Sequence, residues 1–389
     1  MISENKTVLF LIRKNPDTIG GIQRHNARLL AGISGSFQIE PIIWRGPEWG
    51  APFYFPLFYY KTARNGADLI HCDDAVTAII GSTLKRNTGK KAVATVHGLD
   101  VILPIQRYQK AVSRALSSLN RVICVSEATA RKVETRGVSR DKIEVIPNSA
   151  EKVPAILSKN DELLAKIRNL TGIGLQNKKV LFSLGRPLRR KGFDYFIRNV
   201  FAHLPEDFVY IVAGPPQKLP SWLKSVKPFL KNDTYRKLLI ASGCDSISPE
   251  LEKLSELPRV HYLKTVSEDL RELLFAASDL FIMPNRTVDG DMEGFGIVAL
   301  EAAARGIPVV ATGIEGITDA VIHGENGFCI DEKDDAAMIK TIIALTDDTD
   351  SLKAFGEKAR AFTEKRFAPD TVYSRYEKIF EELLGGSRN

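Results

Sequence analysis

Short apolar runs alternate along this chain with longer segments of helical spacing, and the alternation begins almost at once. Lys6–Ile12 is an apolar run that ends in the turn-rich stretch Asn15–Gly21, and from Ile22 to Leu30 the apolar positions recur with helical period. Further runs follow at Ile39–Trp44, Leu69–Cys72, Ala92–Val96, Val122–Val125 and Ile143–Ile146. Each predicts a buried strand, and the segments between are long enough for crossover helices, so the strands form a parallel sheet with helices on both faces. The pattern then restarts with Val180–Leu184 and Gly185, followed by Phe208–Ala213, Val260–Leu263, Leu280–Met283, Pro308–Ala311 and Gly327–Ile330. A second α/β domain is the simplest account. The boundary is expected between Asn148 and Asn177, giving domains 1–160 and 161–368, with the helical Pro369–Leu384 of the last segment, 369–389, packing back on the first domain.

Composition changes this picture little. A chain of 389 residues suits two cores, and 44% apolar with 26% charged residues is ordinary for a folded protein. The apolar run Val8–Ile12 is shorter than a signal-peptide core, and no stretch approaches the ~20 apolar residues of a membrane span. A cytoplasmic protein is expected, at most peripheral on the inner face of the cell membrane. Cys72, Cys124, Cys244 and Cys329 are too scattered for a zinc site or a disulfide framework and read as buried small residues. The net charge of +7 is uneven: residues 1–150 hold 21 Lys and Arg against 12 Asp and Glu. That excess fits an anionic partner, and it fits solubility equally well.

The chemistry concentrates in the second half. Glu293-Gly294-Phe295-Gly296-Ile297 reads as a glycine loop entering a helix that runs past Glu301 to the stop at Gly306, with Pro308 opening a strand. Backbone N–H groups at such a start suit a diphosphate. If Glu293 and Glu301 were both helical they would stand ~12 Å apart along the axis, about the reach from a sugar past a diphosphate to a ribose. Two glutamates at this spacing are otherwise ordinary solvated helix charges. A second block, Ser183–Asp194, follows the first strand of the second domain and places Arg186 and Lys191 where ligands of open parallel sheets bind. Its Arg189 and Arg190 read as solvated loop charges. In the first domain, Gly20-Gly21 forms a tight loop before a helix, and His97-Gly98-Leu99-Asp100 follows a buried strand.

Taken together these segments resemble the retaining glycosyltransferase family four, whose members have the GT-B fold of two Rossmann-like, doubly wound domains facing across a cleft. The stretch from Glu293 to Glu301 is similar to that family's E-x7-E signature, preceded by Ala276–Pro284 and followed by Gly324–Phe328. Ser183–Asp194 looks like its G-R…K-G motif, Gly20–His25 like its glycine loop, and Thr95–Asp100 like its His motif; Val125–Ala130 and Gly137–Asn148 complete the likeness. The resemblance implies catalytic roles for His97, Arg186, Lys191 and Glu293. It implies donor binding by Gly20, Gly21, Gly294, Phe295, Gly296, Ile297, Glu301 and Thr265. Two positions depart from the pattern: Ser149 stands where a Gly usually follows Pro-Asn, and Lys264 where a Gly often precedes the base-contacting backbone. Residues 214–259 match nothing in it, and an insertion is expected around Trp222–Pro258.

The implied reaction is a metal-independent, front-face transfer from a UDP- or GDP-sugar, with no resident cofactor. Asp289-Gly290-Asp291 is the local candidate for a metal pair if one exists. The implied acceptor is a glycan, lipid-linked or phosphorylated molecule, and nucleic acid is not an expected partner. On the segment Ile105–Leu119, Ile105, Tyr108, Val112, Ala115, Leu116 and Leu119 share one helical face, while Arg107, Lys110 and Arg114 share another. With the aromatic-dense Trp49–Lys61 nearby in sequence, this suits an anionic membrane surface, and it suits an ordinary sheet-covering helix as well. A hydrolysing nucleotide-sugar epimerase and a silent sugar-nucleotide binding protein remain as alternatives.

Overall fold

The computed structural model of the protein describes residues 6–16, 20–45, 55–64, 66–153 and 159–385. Internal contacts divide the chain into a first unit, Met1–Ser149 with Phe367–Asn389, and a second, Ala150–Arg366. The first unit holds strands β1 (Thr7–Ile12), β2 (Gln38–Ile43), β3 (Leu69–Cys72), β4 (Lys91–Val96), β5 (Arg121–Cys124) and β6 (Ile143–Val145) in the order β2-β1-β3-β4-β5-β6. The second holds β7 (Lys179–Leu184), β8 (Phe208–Ala213), β9 (Val260–Leu263), β10 (Leu280–Met283), β11 (Val309–Thr312) and β12 (Gly327–Ile330) in the order β12-β11-β10-β7-β8-β9. Every pairing in both sheets is parallel. Both units are doubly wound α/β folds, each with one point where the strand order reverses.

The alternation of side chains along β1 shows why the sheet is covered twice. Leu9 and Leu11 join the core beneath the helices Ala75–Thr88 and Gln106–Ser118, whereas Val8, Phe10 and Ile12 join a core on the opposite face. The chain's last helix, Pro369–Leu384, lies in that opposite core: Tyr376 and Phe380 are fully buried, and the Phe380 ring meets Phe10 edge-on at 6.3 Å. In the second unit, a buried polar bridge ties three strands. Ser183 Oγ shares a 2.8 Å hydrogen bond with Tyr210 Oη and donates to the Ile282 carbonyl at 2.6 Å.

Of the two readings left open for the basic helix, the structure shows the sheet-covering one. The helix Gln106–Ser118 packs its apolar face inward, with Val112, Leu116 and Leu119 fully buried, so that face covers the sheet. Arg107, Lys110 and Arg114 remain exposed on the other side, and Ile105 is 40% exposed. Of the aromatic stretch, Trp49–Tyr54 lies outside the described residues; the rest enters the helix Phe55–Ala63, whose Tyr59 packs on the core while Tyr60 is exposed. Among the described residues no helix is long and apolar enough to cross a membrane.

Replacing Phe380 by Ala should open a cavity costing about 3–5 kcal/mol. Because the damage is confined to the first unit, hydrogen–deuterium exchange should accelerate in β1 and the helix Gly21–Ile33 while β7 and β8 keep their protection; acceleration in both sheets alike would contradict the packing described.

Candidate active site

Several of the sequence-predicted residues lie where the strand order reverses, while His97 follows β4 and Thr265 follows the edge strand β9. The loops leaving the two strands at such a point run to opposite faces of the sheet and leave a crevice beyond their carboxyl ends. In the second unit the reversal lies between β7 and β10, so the loops Gly185–Gly192 and Pro284–Gly296 meet there. Gly192 makes the meeting close: it has φ of +64°, and a Cβ on it would fall 2.0 Å from the Pro284 carbonyl oxygen. No other residue type fits that backbone.

At this crevice Lys191 Nζ lies 2.6 Å from Glu293 Oε2, the same oxygen that accepts from Asn285 Nδ2 at 3.0 Å. Arg190 stands behind them, its Nε 3.6 Å from Glu293 Oε2 and its Nη1 3.6 Å from Asp291 Oδ2. Burial alone would push the Glu293 carboxyl up; Lys191 and then Arg190 instead draw it down to about 2. Burial lowers Lys191, offset in part by Glu293, while Arg190, although burial opposes its charge, is held above its ordinary value by Glu293 and Asp291. The reading of Arg190 as a solvated charge is therefore corrected: the short turn Arg189–Lys191 turns Arg189 outward toward Asp245, at 3.4 Å, and turns the next two side chains inward. Asp291 is buried against Arg190, whereas Asp289 is exposed.

The two signature glutamates do not share a helix. The helix begins at Ile297 after Gly296, which is left-handed at φ 96°, so Glu293 lies in the preceding loop and the ~12 Å helical separation does not apply. Glu301 is on the helix and fully buried, with Oε2 3.9 Å from Arg271 Nη1. Arg271 is also 2.5 Å from Glu268, 3.0 Å from Glu272 and 3.8 Å from Glu151, and Arg305 donates to the Glu301 carbonyl at 2.9 Å. Gly294 and Ile297 are half-buried, Phe295 is buried, and Arg186 and Thr265 are exposed, Thr265 following β9.

In the first unit the reversal lies between β1 and β3. Asp73 and Asp74, just past β3, fasten the loop that leaves β1: Asp73 Oδ2 accepts from the Arg13 and Lys14 N–H groups at 3.0 and 3.3 Å and from Asn26 Nδ2 at 3.0 Å. Asp74 pairs with the Arg13 guanidinium at 2.5 Å and caps the helix Ala75–Thr88. Burial and the neighbouring Asp74 raise Asp73, while Arg13 and the cap hold Asp74 ionised against its burial. Beside them, past β4, the His97 Nε2–H donates to the Asp73 carbonyl at 2.9 Å, since a carbonyl can only accept, and Nδ1 is then the ring's acceptor. Burial lowers its pKa despite Asp100, whose Oδ1 accepts the His97 backbone N–H at 2.9 Å; the ring meets His25 edge-on at 5.1 Å. Gly20 and Gly21 begin the helix Gly21–Ile33, with the Gly20 carbonyl accepting from the Arg24 N–H.

The profile of the family described as Glycosyl transferases group 1 matches residues 171–362, and that of Glycosyltransferase Family 4 matches residues 19–151. This chain belongs to glycosyltransferase family 4. It is 26% identical over 316 residues to the D-inositol 3-phosphate glycosyltransferase of Corynebacterium efficiens, covering 77% of this chain and 68% of that one. It is 26% identical to a GDP-mannose-dependent alpha-(1-6)-phosphatidylinositol monomannoside mannosyltransferase of Mycolicibacterium smegmatis, covering 81% and 75%. Among solved structures, Anabaena HepE in complex with UDP and glucose superposes with a TM-score of 0.71 at 19% identity, covering 97% of this chain and all of that one. The sucrose-phosphate synthase of Thermosynechococcus elongatus gives 0.74 at 17% identity, covering 98% and 100%. These likenesses establish the GT-B fold and make the chain a glycosyltransferase.

Sequence reasoning missed two residues of this glycosyltransferase's second-unit cluster. Asn285 carried no signal beyond its place after an apolar run. Glu315 sits in a left-handed backbone, at φ 49°, and its Oε2 accepts the Glu293 N–H at 2.5 Å, while the next N–H, of Gly316, donates to the Glu293 carbonyl at 3.1 Å. Burial, opposed by that hydrogen bond and reinforced by Glu293 and Asp291, raises Glu315 to about 7. A carboxyl raised in the folded state costs stability as pH climbs from its unfolded value, near 4.5, to its folded one, near 7. Glu315→Gln keeps an oxygen for the Glu293 N–H and removes the charge. Its melting temperature should exceed the parent's at pH 8 and approach it at pH 5; Asp73, present in both proteins, cancels in the difference. Equal differences at both pH values would show that Glu315 is not raised.

Proposed function

We propose that this chain is a retaining, metal-independent hexosyltransferase that moves a sugar from a UDP- or GDP-sugar onto a lipid-linked, glycan or phosphorylated acceptor. The observation that carries the reading is the buried Lys191–Glu293 pair at the reversal point between β7 and β10, with Arg186 on the same loop. A cation paired with a carboxylate gives one group to meet a departing diphosphate and another to accept hydrogen bonds from sugar hydroxyls. The names of relatives support the range of acceptors, an inositol phosphate in one and a phosphatidylinositol mannoside in another, and HepE supports a UDP-sugar as one donor.

In the proposed reaction the bond from the anomeric carbon to the diphosphate oxygen breaks as the acceptor oxygen bonds to the same face of that carbon. The acceptor's proton passes to the departing diphosphate, so no side chain is consumed. Arg186 and Lys191 stabilise the negative charge that develops, aided by N–H groups of Gly294–Ile297 and of the Gly20-Gly21 loop. Glu293 orients the sugar and Glu301 the ribose. Neutral His97 presents a ring acceptor to a sugar hydroxyl. Thr265 lies beside the nucleobase. A lipid-linked acceptor would place the enzyme peripherally at the cytoplasmic membrane surface, where exposed Arg107, Lys110 and Arg114 offer an electrostatic face.

Incubating the protein with UDP-, GDP- and ADP-sugars tests the reading: slow nucleotide release with the anomer retained supports it, and an epimerised sugar or binding without turnover overturns it. Glu301→Ala should weaken donor binding by about 10- to 100-fold, the loss of a charged hydrogen bond of roughly 1.5–3 kcal/mol, without unfolding, because Arg271 keeps Glu268, Glu272 and Glu151. Glu293→Gln should slow turnover more than it weakens binding. Excess EDTA should leave turnover intact, and a loss restored by Mg2+ would reject the metal-free step.

A further inference from the structure

The segment between β8 and β9 is the part of the chain that neither the family pattern nor the transfer reaction accounts for. It folds as the helices Ser221–Val226, Asn232–Ala241 and Ser248–Leu254 joined by short turns. From Lys218 to Lys237 most residues are exposed and the rest half-buried, with Leu223 alone buried. Phe229, at 86%, is the most exposed large apolar side chain among the described residues, and Trp222 is 46% exposed. Around them stand Lys218, Lys224, Lys227, Lys231, Arg236 and Lys237 against the single acidic Asp233. Lys237 pairs with Asp233 and Arg236 lies 3.9 Å from Asp245, but Lys218, Lys224 and Lys231 make no ion pair among the described residues.

We propose that Lys218–Lys237 is a docking surface for a bilayer containing anionic lipid, with Trp222 and Phe229 entering the interface and the lysines meeting phosphates. Exposed aromatics cost hydration until an apolar medium receives them, and lysines extend their ammonium groups to the headgroup level while their stems lie along that medium. The charge argues against a second copy of this chain on the same patch, since five net positive charges would face five. It argues equally for an anionic surface.

The platform is built rather than loose. Arg189 N–H donates to the Asp245 carbonyl at 2.9 Å, Ile247 N–H donates to the Pro187 carbonyl at 2.9 Å, and Arg189 Nε lies 3.4 Å from Asp245 Oδ2. These contacts fasten Asp245–Ile247 to the loop that carries Arg186 and Lys191, and Arg236, 3.9 Å from Asp245, links the surface to that anchor. Docking there brings that loop to the lipid surface. The inference goes beyond the transfer reaction and does not depend on which sugar or acceptor is used.

The test is co-sedimentation of the full chain, without donor, with vesicles of phosphatidylcholine alone or mixed with phosphatidylglycerol. The parent should partition onto the mixed vesicles at low ionic strength, with Trp222 emission shifting to the blue; Trp222→Phe should remove the shift. Neutralising Lys224, Lys227 and Lys231 to Gln should cut partition on the order of 100-fold at low salt, and much less at high salt where the Debye length shrinks. Phe229→Ser should reduce it at any salt. Unchanged UDP or GDP binding in these variants shows that they fold and keeps the outcome separate from the glycosyltransferase reading. The proposal is overturned if the parent ignores mixed vesicles, or if Arg107, Lys110 and Arg114 changed together to Gln abolish partition while the Lys224, Lys227 and Lys231 variant binds normally. Concentration-dependent self-association lost in Phe229→Ser, or capture of a single-stranded oligonucleotide in preference to vesicles, also overturns it.

Discussion

Parallel strands buried on both faces leave their loops at one end of the sheet, and only where the strand order reverses do neighbouring loops part and leave a crevice uncovered. Both units of this glycosyltransferase obey that constraint, and their polar chemistry follows from it. Lys191, Asn285 and Glu293 come from the loops after β7 and β10, and Arg13, Asp73 and Asp74 from the loops after β1 and β3. Side chains cap some of the helices that follow the strands, as Asp74 does for Ala75–Thr88 and Ser126 for the helix after β5.

Within the second unit the arrangement is decided by a shortage of cations. Three carboxyls, Asp291, Glu293 and Glu315, surround two buried bases, Arg190 and Lys191. Glu293 touches Lys191 and also lies near Arg190, so it stays ionised in spite of its burial. Asp291 has only the more distant contact with Arg190, and Glu315 accepts a backbone N–H but forms no close ion pair among the described residues. Both are accordingly raised, Glu315 into the neutral range. Differences in which cation each acid meets, and how closely, thus separate three chemically similar acids.

The first unit solves a different problem, that of packing three histidines and two adjacent aspartates into one region. Burial lowers the pKa of His25, His71 and His97, so they serve as uncharged hydrogen-bonding rings, His71 to Thr95 and His97 to the Asp73 carbonyl. The aspartates divide their work. One neutralises Arg13 and caps a helix, and the other gathers the N–H groups of the loop leading toward Gly20 and Gly21.

What the sequence determined by itself was the periodic part. Each of the twelve strands among the described residues lies on an apolar run, and the helix Pro369–Leu384 was legible end to end, because apolar runs and helical period are local properties that burial merely reads. The glycine-bounded motifs were legible too, and with them the family and most of the candidate site. Tertiary structure decided the rest. In Arg189-Arg190-Lys191 three cations look alike in sequence, and only the turn of one short helix sends the first outward and the next two toward Glu293, about a hundred residues away. Glu315 is an unremarked glutamate until its left-handed backbone brings it against Glu293. The apolar face of Gln106–Ser118 reads the same whether it covers a sheet or meets a lipid, until β4 and β5 are seen beneath it. Such pairings depend on distances across the fold, which no local pattern encodes.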